Sequence, residues 1–243
     1  METRTEKPLK GPKKEAPPNG VDESGETPDE TAEEAPVATG KVTRVTLTVA
    51  NKTPLLMDRM SDEMIEQVLI RGKRPPPVRD MSLVDMCRPK LYVGPDGKTY
   101  GIPGEMFMAA LREAGRKVKV GKSNISTADS TTLFAFLALE EDFLYFPEDC
   151  QPWTAYLRRG QMKTGSTTTA AGIVRPKFDR WGFTAHLTID HDALEGLTSK
   201  HVNDLIKIAG QRIGLAGFRP TCNGPFGCYN IARYDEEEVK AAA

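Results

Sequence analysis

Two stretches far apart in the chain alternate apolar and polar residues with a period of two. Residues 42–50 set Val45, Leu47 and Val49 against Thr46 and Thr48. Residues 183–190 set Phe183, Ala185, Leu187 and Ile189 against Thr184, His186 and Thr188. This pattern marks strands with one face in a core and the other open. Such strands need a sheet around them and a layer over the apolar face, which restricts the fold to sheet-containing classes. Two further strands are predicted over 132–139, continuing at 142–146 after a turn, and over 226–234.

The covering layer is also written in the sequence. After Pro103, the spacing Phe107, Ala110, Leu111, Ala114 predicts a helix, with Gly115 at its end. A second helix is predicted over 199–212, capped by Thr198 or Ser199, with Val202, Leu205, Ile206, Ala209 and Ile213 as its apolar stripe. A short third helix over 61–70 would bury Met64, Ile65, Val68 and Leu69. The prolines at 75–77 then break it into an extended stretch. Gly94-Pro95-Asp96-Gly97, between residues 91–93 and 98–100, signals a hairpin. The order approximates β-α-β-β-α-β, an α+β, ferredoxin-like (RRM-like) domain with an insertion over 51–100. A plain α+β sandwich with other pairing is the rival.

The formal net charge of −1 averages over unlike segments. Residues 1–40 hold 5 Lys+Arg, 10 Asp+Glu and six Pro, with no Phe, Trp or Tyr. Such a segment cannot offset its ordering entropy, so it is expected to be disordered. Residues 41–234, expected to be the single domain, carry 27 Lys+Arg and 20 Asp+Glu, a charge of +7. Residues 235–243 are expected to fray as an acidic tail of charge −3. The body is a soluble domain with solvating ends, or a basic surface for a polyanion with acidic ends that moderate non-specific binding. No apolar run approaches the roughly 20 residues of a membrane span. No secretory leader is visible, and the four cysteines suit a reducing cytosol. A cytoplasmic protein is expected.

The stretch 209–227 carries most of the functional information. It holds Gly214, Gly217, Arg219-Pro220, Gly224 and Gly227, with Arg212 just before them. Glycines permit close backbone approach, and a run of free N–H groups with arginines nearby can cradle phosphate. The same residues equally make a long connector between helix and strand. The loop is not a P-loop, because no Gly-Lys-Ser/Thr opens a following helix. It is not a dinucleotide fingerprint, because it follows a helix and precedes a strand.

A helix, a glycine-rich loop and then a final strand resembles the RAMP superfamily, the RNA-binding backbone and processing proteins of CRISPR effector complexes and their phage or mobile-element relatives. Gly214, Gly217, Arg219, Gly224 and Gly227 carry the resemblance, with Tyr100-Gly101-Ile102-Pro103-Gly104 before the first helix. It implies binding of RNA along a basic face and assembly along it. This loop departs from the denser glycine runs of many members and inserts Arg219-Pro220.

Three further constellations bear on function. Arg112, Arg116, Lys117, Lys119 and Lys122 cluster at the end of the first helix, followed by Ser123, Asn124, Ser126 and Thr127. They form a solvated basic helix end or line a phosphate backbone. Arg158, Arg159 and Lys163 open a glycine- and threonine-rich stretch read as a loop, which runs into Arg175, Lys177, Phe178, Arg180 and Trp181. There cations for phosphates interleave with rings for base stacking, or Phe178 and Trp181 anchor the core. Tyr229 is a further stacking candidate. His186, His191 and His201 are too dispersed for a confident site, and Cys87, Cys150, Cys222 and Cys228 form no CxxC pair. No metal, cofactor or catalytic residue is expected. The resulting expectation is a non-catalytic protein binding RNA or single-stranded DNA. The alternatives are a structural protein that self-associates through 51–100, and a RAMP-like endoribonuclease using a histidine.

Overall fold

The computed structural model describes residues 41–71, 80–164 and 167–239, with backbone alone at 62, 63, 68, 71, 161–164 and 167–169. The segment 1–40, the prolines at 75–77 and residues 165–166 lie outside the described residues. In chain order the elements are β1 (Val42–Asn51), β2 (Leu55–Leu56), α1 (Asp62–Arg71), α2 (Leu83–Cys87), β3 (Gly101–Pro103), α3 (Gly104–Ala114), β4 (Lys119–Val120) and β5 (Ser123–Asn124). There follow α4 (Leu133–Phe136), β6 (Leu137–Leu139), β7 (Phe143–Tyr145), β8 (Thr154–Thr164), β9 (Thr167–Phe178), β10 (Gly182–Asp190), α5 (Ser199–Ile208) and β11 (Tyr229–Val239). The fold is mixed α+β with several antiparallel sheets. Among the described residues, no helix is long and apolar enough to cross a membrane.

The two alternating stretches become β1 and β10, which pair antiparallel from Val42 opposite Asp190 to Ala50 opposite Gly182. They form the centre of a four-stranded sheet ordered β11-β1-β10-β6. Taken by chain order, its strands lie fourth, first, third, second. Val45, Leu47 and Val49 of β1 and Phe183, Ala185, Leu187 and Ile189 of β10 are buried, as their period demands. α3 and α5 cover that face, with Phe107 of α3 set edge-on to Phe183 at 5.4 Å. Thr198 and His201 form a capping box at the start of α5, and a π-helical turn at Ala209–Ile213 carries the helix into the glycine-rich loop. Gly115 ends α3 without left-handed backbone. A Cβ there would meet Ser126 Oγ at 2.5 Å, so close packing fixes this residue.

Several expectations change. Residues 132–139 form one helical turn and then only three strand residues, because a continuous apolar run has no period to separate helix from strand. β7 leaves the main sheet and pairs with β3. The Gly94–Gly97 turn forms, yet its flanks make only the bridge Val93 to Tyr100. Of the α1 residues expected in the core, Ile65 and Leu69 are exposed, Leu69 at 78%, and Met64 is half-buried; Ile70 is exposed beside them. The stretch from Arg158 is no loop: β8 and β9 pair in unbroken register from Thr154 opposite Lys177 to Thr164 opposite Thr167. Eleven paired residues extend this arm roughly 35 Å. The acidic stretch Asp235–Val239 does not fray, because it continues β11 beside Val42–Thr46 of β1.

Candidate functional site

Two adjoining clefts open beside the glycine-rich loop. The first, about 400 Å³, lies between α3, the turn at 127–131 and Gly214–Ala216, with Arg112, Arg116 and Arg219 in its walls. The second, about 470 Å³, lies between the base of the β8–β9 arm and Ala216–Arg219, and it is walled by Arg158, Arg175 and Arg219. Met106, Ala216 and Arg219 line both. Five arginines from α3 and its end, β8, β9 and the loop thus face one groove, against the carboxylates of Asp58, Glu113 and Asp129.

The arginines differ in state. Arg112 and Arg116 are exposed. Arg219 is oriented by Nε donating to Thr221 Oγ1 at 3.0 Å and Nη1 donating to the Ala216 carbonyl at 3.0 Å. Arg158 Cζ sits 3.5 Å from the centroid of the Phe218 ring. Arg175 is tied to Asp58 at 2.5 Å, which cancels most of its charge. Thr127, Ser130 and Thr131 add a hydroxyl wall. Their turn is set by Thr127 N–H donating to the Ser130 carbonyl at 2.8 Å and by Ser126 Oγ lying 2.8 Å from Thr131 Oγ1. Burial pushes the Tyr92 phenol up, so this wall of the second cleft stays uncharged.

The glycine-rich loop does not offer a row of free N–H donors. Gly214 donates to Ala209, Leu215 to Gly227, Gly217 to Leu56, Gly224 to Arg219 and Gly227 to Pro54, all carbonyls at 2.8–3.0 Å. Its glycines serve packing. Gly227 takes φ +74°, and a Cβ there would meet the Leu215 carbonyl at 2.0 Å. The loop is a stapled platform that positions Arg219 and Phe218. The four glycine amides expected to cradle phosphate are engaged within the protein.

The other expected site residues scatter. Lys117, Lys119 and Lys122 are exposed on the turn after α3 and on β4–β5, outside both clefts. Arg159 is exposed on the arm, and the Lys163 side chain lies outside the described residues. Arg212 is exposed on the π-helical turn. Lys177 pairs with Asp179 at 2.9 Å, and Arg180 pairs with Asp149. Trp181 and Tyr229 are each 1% exposed. Trp181 Nε1 donates to the Thr53 carbonyl at 2.8 Å, and its ring stands edge-on to Tyr229. Both are core residues, so neither can stack on a base. The aromatics at the groove are Tyr92 and Phe218, neither of them among the expected stacking residues. The signal for Phe218 was an aromatic lodged between Gly217 and Arg219.

The histidines are spoken for elsewhere. His186 meets Glu141, His191 Nε2 lies 3.0 Å from Thr43 Oγ1, and His201 caps α5. None lines either cleft. Burial raises the thiol pKa of Cys87 and of Cys150, whereas Cys222 lines the second cleft.

No protein-family model and no curated protein matches the chain. Among solved structures, a chain of the cryo-EM structure of the Type III-B Cmr-beta bound to cognate target RNA is similar, at 13% identity and a TM-score of 0.43. The match covers 83% of this chain and 62% of that one.

Proposed function

We propose that this is a non-catalytic protein that binds RNA or single-stranded DNA in the groove beside the glycine-rich loop. One observation carries the reading: arginines from segments more than a hundred residues apart converge on one groove. Arg112 and Arg116 reach it from α3 and its end, Arg158 and Arg175 from the arm, and Arg219 from the loop. Guanidinium groups suit phosphate oxygens through paired, charge-assisted hydrogen bonds. The strand order fourth, first, third, second, with α3 and α5 on one face, supports a ferredoxin-like reading of the domain. The helix, glycine loop and final strand support a RAMP-like one.

Filter binding of a labelled oligouridine across a salt series tests the function. Affinity should fall steadily as salt rises. A flat curve, or no binding at low salt, would overturn it. A second reading, self-association through residues 51–100, is favoured by the outward apolar face of α1 at Ile65, Leu69 and Ile70. Light scattering on the protein freed of nucleic acid separates the two, because assembly without nucleic acid supports the second.

A further inference from the structure

We propose that the second cleft seats a single unpaired nucleobase, stacked on the Arg158–Phe218 pair, with its phosphate on Arg219. The inference rests on the nucleic-acid reading and adds to it a subsite and a selectivity for unpaired strands.

The pair is built at visible cost. Phe218 takes φ +53° and Ala216 φ +58°, the left-handed region that a bulky side chain seldom enters. The chain accommodates this with glycine opposite. A Cβ at Gly224 would stand 1.9 Å from the Phe218 carbonyl and 2.5 Å from its ring Cγ. Phe226, with its ring 6.0 Å away, supports the aromatic from the side. The result is a half-buried ring placed at the mouth of the arm instead of in the core.

Arg158 completes the seat. It stands over the ring at 3.5 Å, and among the described residues it has no carboxylate partner. A guanidinium resting on an aromatic face is held in position by attraction to the ring, and its other side can take the face of a base. The cleft of about 470 Å³ falls within the roughly 300–1,000 Å³ that encloses small ligands. Its remaining walls include Tyr92, Met106 and Ile173, suited to an aromatic heterocycle. Arg219, fixed by its two hydrogen bonds, stands at the junction of the two clefts, where the backbone of the same nucleotide would leave. A paired base cannot enter without leaving its stack, so the seat discriminates against duplex.

The test uses the full chain and an oligouridine carrying one 2-aminopurine, whose emission is quenched by stacking. The unaltered protein should quench it and should bind the same oligonucleotide at least tenfold more weakly once it is annealed to its complement. Arg158→Lys keeps the charge and removes the plane, and Phe218→Leu removes the ring. Each should lower single-strand affinity about tenfold, a loss expected from one stacked base, and abolish the quench. Arg158 is half-buried on the arm and outside the hydrophobic core, so its variant reports even if Phe218→Leu does not fold. Binding without quench, or a quench that survives Arg158→Lys, overturns the seat while leaving the groove. No binding of any oligonucleotide overturns the groove itself.

Discussion

The salt dependence of binding separates the groove arginines from the basic residues around them. Among the described residues, Arg112, Arg116 and Arg219 face the groove with no carboxylate paired to them. Arg175 is bound to Asp58, and Arg158 rests on Phe218. Each phosphate contact on a single strand contributes about 0.7 to the slope of log affinity against log salt. Arg112→Ala with Arg116→Ala should therefore reduce the slope by about 1.4, and adding Arg219→Ala by about 2 in all. A fourfold rise in salt then weakens the parent roughly 20-fold more than the triple variant. Arg180→Ala removes a cation that pairs with Asp149 outside both clefts and should leave the slope unchanged. The measurement is anisotropy of a labelled oligouridine at stepped salt, with circular dichroism melts as the folding control. A folded triple variant that keeps the parental slope refutes the groove, and a drop for Arg180→Ala equal to that for Arg112→Ala refutes its placement.

Trp181→Ala should cost about 3–5 kcal/mol in urea unfolding, and Trp181→Phe about 1–3, because the Thr53 carbonyl loses its donor. Oligonucleotide affinity of the folded fraction should not change. Tyr229→Phe removes a buried hydroxyl without a partner and should raise stability by about 1 kcal/mol, read by the same melts. Burial also pushes the Tyr229 phenol far above its ordinary pKa. The unfolded chain therefore releases that proton first, from about pH 10. Stability should fall as pH rises beyond that point, and fall less steeply in Tyr229→Phe. Deleting residues 1–40 removes a segment of charge −5 and should strengthen binding at low salt; unchanged or weaker binding counts against the charge partition.

How much of this could be read from the chain depends on the range of the forces involved. β1 and β10 were legible because burial of one strand face writes its period locally, whatever the partner. The same period also decides Trp181, which falls in phase with Phe183 and Ala185 and so points inward. Flanking cations suggested a stacking role that the phase denies. The β8–β9 arm was illegible because a two-stranded ladder is held by backbone pairing, which leaves little local apolar period. Its Leu157 is exposed, and an unburied ladder leaves threonines and glycines that read as a loop. α1 shows the opposite failure: a local apolar stripe reveals a sided helix but not what lies on that side. The nearness of Arg112 to Arg219 is set by the strand order and the π-helical turn, which no local pattern encodes.

The sheet has two outer edges, and one of them is β11. Its last turn of chain presents Asp235, Glu236, Glu237 and Glu238 in sequence, alternating between the two faces. Two copies brought edge to edge along this strand would set carboxylate against carboxylate on both faces at once. Growth of the sheet through this edge, from one molecule into the same edge of the next, is thereby opposed by like-charge repulsion. Such a boundary makes this edge a poor template for aggregation. It also directs any ordered array of copies to form through other surfaces.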